Sequence, residues 1–257
     1  MKNLTILAYH RVCPEFRGAL AVTPEQFEQH IISFLKKGYQ IKNLKDIYEL
    51  YFKQGQSIPK KTLVLTFDDG YQDNYTYAFP VIKKYKLSAT IFLAVNYINQ
   101  KKHFRWDLED PDLANIQLDA RDYPLTWPQI KEMHKYGLEF GSHTLDHPKL
   151  TKIPIHDAWQ EIYQSRQDIE KELGTKVYSF CAPHGYLNSA LTKLSEKAGY
   201  AVGVLNPPGI ANQDLHLNET IYSLRRIGVY QHDNVNRLLL KQSFLFNIYR
   251  KIRSWLS

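Results

Sequence analysis

Cysteine is scarce: Cys13 and Cys181 are the two in 257 residues, and they lack the spacing of metal ligands. They read as free thiols of a reducing compartment, with a single disulfide as the alternative. No run of about 18 apolar residues is present, so nothing in the sequence reads as membrane-spanning. The start, Met1-Lys2-Asn3-Leu4-Thr5-Ile6, has neither the apolar core nor the cleavage site of a signal peptide, and the expectation is a cytoplasmic protein. Nucleic-acid motifs are absent, and a net charge of +7 favours anions such as phosphates or acidic lipids without indicating DNA or RNA. No Gly-x-Gly-x-x-Gly follows any apolar run, which argues against an open dinucleotide-binding sheet. From Asn234 to the end there is no Asp or Glu.

What is present is a strand-helix alternation. With 44% hydrophobic residues the chain is globular and long enough to bury a core without staples. Leu4 to Tyr9 reads as a short buried strand ending at His10. Thr23-Pro24-Glu25-Gln26 opens a helix with a capping box and a first-turn proline; Phe27, Ile31, Phe34 and Leu35 form its buried face and Gly38 ends it. A second short helix follows Asn43. Thr62 to Phe67 is a buried strand, and helix is expected over 74–85, with Pro80 its weak point. Further strands are expected over 89–93, 138–140, 177–181, 200–204 and 224–229, and helices over 126–136, 157–173 and 188–198. Residues 97–126 show no period, and a stretch of that length in a compact chain usually covers a site. The alternation, about seven strands without a sequence repeat, predicts an α/β fold: a single distorted parallel (β/α) barrel over residues 1–230.

In such a barrel the C-terminal strand ends face the active site. Four groups fall there: His10, Asp68-Asp69, His143 with His147, and the turn Pro183-His184-Gly185. Adjacent carboxylates at a strand tip repel unless a cation lies between them or one holds a proton. His143 and His147 have the spacing of two ligands to one metal, and a strand-end carboxylate such as Asp69 can supply a third. That set leaves coordination positions open for water and substrate, and leaves Asp68 to take a proton from the water.

Three runs, Thr66-Phe67-Asp68-Asp69-Gly70, His143-Thr144-x-x-His147 and Phe180-Cys181-Ala182-Pro183-His184-Gly185, resemble the polysaccharide deacetylase family of NodB-homology carbohydrate esterases. Leu7-Ala8-Tyr9-His10-Arg11-Val12 and Leu224-Arg225-Arg226-Ile227-Gly228-Val229 resemble its bacterial exopolysaccharide branch, so the resemblance covers roughly residues 1–230. It implies a distorted barrel of seven or eight strands and metal-dependent removal of N- or O-acetyl groups from sugars. Carried over by position, Asp68 is the general base, and Asp69, His143 and His147 hold a divalent metal: zinc by default, with nickel or cobalt fitting the same ligands. The backbone N–H of His184 matches the oxyanion donor of relatives. His10 is the expected general acid, as in the permuted members whose first strand supplies it, and His232 is the fallback. Arginine often stands where this chain has Cys181, and Arg226 is the expected substitute for holding the base carboxylate.

Over residues 231–257, Arg237, Lys241, Arg250, Lys251 and Arg253 accompany Val235, Leu238, Leu239, Leu245, Tyr249, Ile252 and Trp255 near helical spacing. This predicts a basic amphipathic tail, suited either to the inner, anionic face of a membrane or to docking on the barrel. The leading expectation is therefore a cell-envelope or exopolysaccharide N-deacetylase acting on an N-acetylated sugar, oligosaccharide or lipid-linked sugar. The alternatives are hydrolysis of another amide or ester bond, or an inactive carbohydrate-binding protein.

Overall fold

The computed structural model describes residues 4–15, 17–185, 188–205 and 221–242. Among these the strands are β1 (Leu4–Tyr9), β2 (Arg11–Val12), β3 (Ala21–Val22), β4 (Gln40–Lys42), β5 (Thr62–Phe67), β6 (Thr90–Leu93), β7 (Glu139–Ser142), β8 (Ser179–Cys181), β9 (Val202–Leu205), β10 (Leu224–Arg225) and β11 (Ile227–Gly228). The helices are α1 (Pro24–Lys36), α2 (Leu44–Ile47), α3 (Phe79–Lys84), α4 (Arg105–Glu109), α5 (Trp127–Tyr136), α6 (Ile155–Leu173), α7 (Ser189–Lys197) and α8 (Val235–Gln242). Except for the small pair β2–β3, the strands form one sheet in the order β10-β9-β8-β7-β6-β5-β1-β11, with β4 added on β5. All of its ladders are parallel. The outermost strands, β10 and β11, are two halves of one segment broken at Arg226, so the sheet's two edges meet there and the sheet curls into the expected barrel.

Alternation along the strands sorts their side chains into two cores. Leu7, Tyr9, Leu63, Leu65, Phe67, Ile91, Phe140 and Phe180 pack outward, under α1, α3, α5, α6 and α7. Leu4, Ile6, Val64, Phe92, Cys181, Val202, Val204 and Leu224 pack inward, and Leu44, Ile47 and Tyr51 close the bottom. Asp68 lies four residues beyond Val64 and Arg226 two beyond Leu224, so both continue the inward phase at the top of the barrel. Gly141 in β7 lacks room for a side chain: a Cβ there would lie 2.4 Å from Ser179 Oγ and 2.7 Å from the Phe92 ring. Gly141→Ala is expected to cost about 1–3 kcal/mol in urea unfolding, the usual range for overpacking; a loss below about 0.5 kcal/mol would mean the inner barrel yields freely.

Local expectations meet their physical limits in several places. The capping box of Thr23 and Gln26 forms, as does that of Thr126 and Gln129. Across 74–85 a π-helical stretch (Asn74–Ala78) precedes α3, which places Pro80 in the first turn of α3, where its missing N–H costs nothing. Residues 97–126 are not a bare loop: they hold α4 and two short 3-10 turns, Pro111–Leu113 and Ala120–Asp122. The disulfide alternative is excluded, because both cysteines are free and buried. Beyond residue 230, Asp233, Leu238 and Lys241 are all buried and Leu238 joins the outer core. Of the predicted tail, residues 243–257 lie outside those described. No described helix is long and apolar enough to cross a membrane.

Candidate active site

β5 ends by delivering two neighbouring carboxylates into different surroundings. Asp69 turns in the left-handed region at φ +72°, followed by Gly70 at φ +80°, and this reversal points the two side chains apart. Thr144, His147 and His184 also have positive φ, so four of the seven such non-glycine residues among those described lie at this end of the barrel. Left-handed backbone at residues with a Cβ is unfavourable and collects at functional sites.

Asp68 is fully buried and gripped from both sides by Arg226: Nη1 donates to Oδ1 at 2.7 Å and Nη2 to Oδ2 at 2.7 Å. Arg226 also donates to Thr66 Oγ1 at 2.9 Å and to Cys181 Sγ at 3.0 Å. Burial alone would raise the Asp68 pKa, but the charge and hydrogen bonds of Arg226 outweigh it and hold the carboxyl well below its usual range. The expected substitute for the family arginine is thus in contact with Asp68, at the closing seam of the barrel. Cys181 packs beside the ion pair, and burial pushes its thiol well up, so it is no ready nucleophile.

Asp69 faces the other way. Its Oδ1 has no hydrogen-bond partner among the described residues and lies 3.5 Å from Nε2 of both His143 and His147. These three buried residues could hold a metal ion, their donor atoms all lying within 4.8 Å of one another. Donors bonded to one zinc at about 2.1 Å in a tetrahedral arrangement sit about 3.4 Å apart. His143 Nδ1 pairs with the Cys181 carbonyl at 2.7 Å, which makes Nδ1 the donor and turns the Nε2 lone pair toward Asp69. Burial keeps both imidazoles neutral and therefore able to ligate, lowering the pKa of His143 to about 4 and that of His147 further. Burial, with Asp68 and Asp107 nearby, raises that of Asp69 well above the carboxylate range. The residues therefore fit a divalent metal. Calorimetric titration with zinc is expected to show one tight site, weakened at least about a hundredfold in His147→Ala, since even outer partners of such ligands cost about tenfold or more. Equal affinity in the variant would remove these residues from the site.

His10 follows β1 and lies beside Asp68, with Nε2 3.7 Å from Oδ2. Asn74 Nδ2 donates to its carbonyl at 2.9 Å, while His10 Nδ1 is buried without a partner among the described residues. Burial lowers its pKa against the opposing pull of Asp68. The His184 side chain is exposed on the cleft rim, with its ring centroid 4.9 Å from that of His147. His232 is not brought to the cleft: it is exposed and stacks on Tyr230 with centroids 6.0 Å apart.

Several further residues frame the site, Trp106 among them from the aperiodic stretch expected to cover it. Glu161 on α6 accepts from the backbone N–H groups of Leu145 and Asp146 at 2.9 and 3.0 Å, holding the His143–His147 turn. Trp106 lies against His147, centroids 4.1 Å apart, and donates to Tyr71 Oη at 3.0 Å. The Tyr71 hydroxyl in turn donates to Asp107 Oδ1 at 2.7 Å.

An open cleft of about 600 Å³ lies above, lined by His10, Asp69, His143, His147 and His184 among others. Barrel and site together define a hydrolase-type centre: two carboxylates of opposed environment, two neutral imidazoles and an adjacent third histidine. Residues 55–203 match the polysaccharide deacetylase family. YxkH of Bacillus subtilis, a protein named for that family, is 32% identical over 227 residues, covering 88% of this chain and 71% of its own length. The poly-β-1,6-N-acetyl-D-glucosamine N-deacetylase of Staphylococcus aureus is 26% identical over 71% of this chain, which spans 60% of that enzyme. Among solved structures, the Streptococcus pyogenes deacetylase PplD superposes with a TM-score of 0.76 at 24% identity, over 93% of this chain and 98% of PplD. IcaB from Ammonifex degensii superposes at 0.73 and 22% identity, over 94% of this chain and 97% of IcaB. The chain belongs to the polysaccharide deacetylase family.

Proposed function

We propose that the protein is a metal-dependent hydrolase that removes N-acetyl groups from an amino-sugar glycan or its precursor, releasing acetate. The observation that carries this reading is the divergence of two sequence neighbours. Asp68 is kept ionised by Arg226, while Asp69 presents an unpartnered oxygen to two neutral imidazoles beneath an open cleft. One carboxylate is thus suited to proton transfer and the other to ligation.

A divalent metal, zinc by preference, held by Asp69, His143 and His147 would supply Lewis acidity toward the acyl carbonyl and the attacking water. Asp68 takes the proton from that water; its low pKa favours the ionised form needed for the task. The His184 N–H donates toward the oxygen on which charge develops. His10, beside Asp68, gives a proton to the departing sugar nitrogen, the Asp68 carboxylate opposing the lowering of its pKa by burial. A poly-β-1,6-N-acetylglucosamine chain is the first substrate to try, because the staphylococcal relative is named for it.

Acetate release from a panel of N-acetylated oligosaccharides, nucleotide sugars and lipid-linked sugars, with added zinc, tests the reading. Release from any of them supports it. A folded, zinc-loaded protein that releases none points to another amide or ester bond. A position on the inner face of the cell membrane remains part of the proposal, supported by the basic residues of 237–253; failure of the full chain to bind anionic liposomes would remove it.

A further inference from the structure

The cleft has a second wall that the chemistry above does not use. It is built by residues 105–113, of which Asp107, Asp110 and Asp112 line the cavity. Asp107 is 6% exposed; its Oδ1 accepts the Tyr71 hydroxyl, while its Oδ2 has no partner among the described residues. Leaving a buried carboxylate oxygen unpaired is costly, so its retention beside an open cleft points to a ligand. Arg11 also lines the cleft, lies over the Tyr71 ring at 4.6 Å, and leaves its own Nη1 without a partner among the described residues.

The charge balance of the cleft gives the sign of that ligand. Its cations are held by carboxylates that do not line it: Arg11 by Asp73 and Asp122, Arg17 by Asp122 and Asp119, and Lys241 by Asp233. No cation pairs with Asp107, Asp110 or Asp112 among the described residues, so the uncompensated charge facing the cavity is negative. The volume, about 600 Å³, exceeds what one acetamido group fills.

We propose that this acidic wall is a subsite for a sugar unit already bearing a free ammonium group, so that the protein prefers a partly deacetylated chain to a fully acetylated one. The inference rests on the deacetylase reading, whose product is such an amine. An ammonium offers N–H donors and a charge to Asp107, and the hydroxyl beside it on an amino sugar can accept from Arg11 Nη1. An acetamido group offers one neutral N–H and a methyl group, which does not offset the desolvation of a carboxylate. Burial raises the Asp107 pKa to about 6, against the Tyr71 hydrogen bond and the charge of Arg11, so it is ionised at neutral pH.

Two N-acetylglucosamine pentamers, one fully acetylated and one with a single free amine, are titrated calorimetrically into the native protein with metal chelated to prevent turnover. The amine-bearing pentamer is expected to bind about tenfold tighter, the worth of one charge-assisted hydrogen bond. That preference is expected to disappear in Asp107→Asn, where asparagine keeps an oxygen for the Tyr71 hydroxyl, and to shrink in the double variant Asp110→Asn/Asp112→Asn. Equal affinities, binding of neither pentamer, or a preference that survives in both variants overturns the subsite. Acetate release from the fully acetylated pentamer by zinc-loaded native protein reports the deacetylase reading separately. Release with equal affinities leaves that reading and removes the subsite; a tenfold preference without release does the reverse.

Discussion

Asp68→Asn is expected to lower acetate release at least about a thousandfold, within the range that a positioned general base contributes. An amide cannot accept the proton of the attacking water, yet it keeps the size and one acceptor oxygen for Arg226, so the cleft retains its shape. The substitution also leaves the Arg226 guanidinium buried with no anion, which is expected to cost a few kcal/mol of stability. Activity must therefore be read well below the variant's own unfolding temperature. Zinc affinity separates the two roles: Asp69, His143 and His147 are untouched, so the variant is expected to bind zinc within about tenfold of the native protein, less than the loss set by removing a ligand. A variant that keeps activity within about tenfold of native would assign proton removal to another group, with His10, 3.7 Å away, the first to examine.

Arg226→Met carries the other large effect, because it removes a buried cation from the seam at the top of the barrel and strips Asp68 of two short hydrogen bonds. Breaking a buried ion pair by deleting one partner costs about 3–5 kcal/mol. The pH dependence has a definite sign. In the native protein the Asp68 pKa is depressed, so the pair stabilises the fold above the unfolded carboxylate range and that contribution is lost as pH falls. Without Arg226, burial dominates and raises the Asp68 pKa, so an ionised Asp68 now opposes folding. The stability gap between native and variant is therefore expected to widen from about pH 4 to pH 7 in denaturant titrations. The acid limb of the rate profile should move to higher pH for the same reason, since the base must lose its proton to act. Arg226→Lys, which keeps the charge and loses the fork, is expected to fall between the two. An acid limb that does not move in Arg226→Met would show that the arginine does not tune Asp68.

The barrel was legible in the chain because its strands are continuous buried runs of β-branched and aromatic residues bounded by turn signals. The ligand candidates were legible because each sits at the end of such a run. Arg226 was a candidate, but its partner lies 158 residues away, and no local pattern reveals which strand closes a barrel on which. Trp106 and Asp107 fall in the stretch expected to cover a site, but residues 97–126 have no period from which to infer which side chains turn inward, and no motif singled out Tyr71. Glu161 was hidden differently: a glutamate on the polar side of an amphipathic helix looks like any solvated residue until the turn it holds is placed above it. His232 shows the converse: named as the fallback acid, it is exposed and stacks on Tyr230 instead of lining the cleft.

The segment from Leu224 to Gly228 joins the last strand to the first and carries Arg226 in its middle. In order of synthesis, every metal ligand candidate and the proposed base emerge before it. A nascent or clipped chain that ends ahead of residue 224 would thus contain all the ligands and still lack the cation that keeps Asp68 ionised. On the proposed mechanism such a chain would hold the ligands without a tuned base until the final strand seals the barrel.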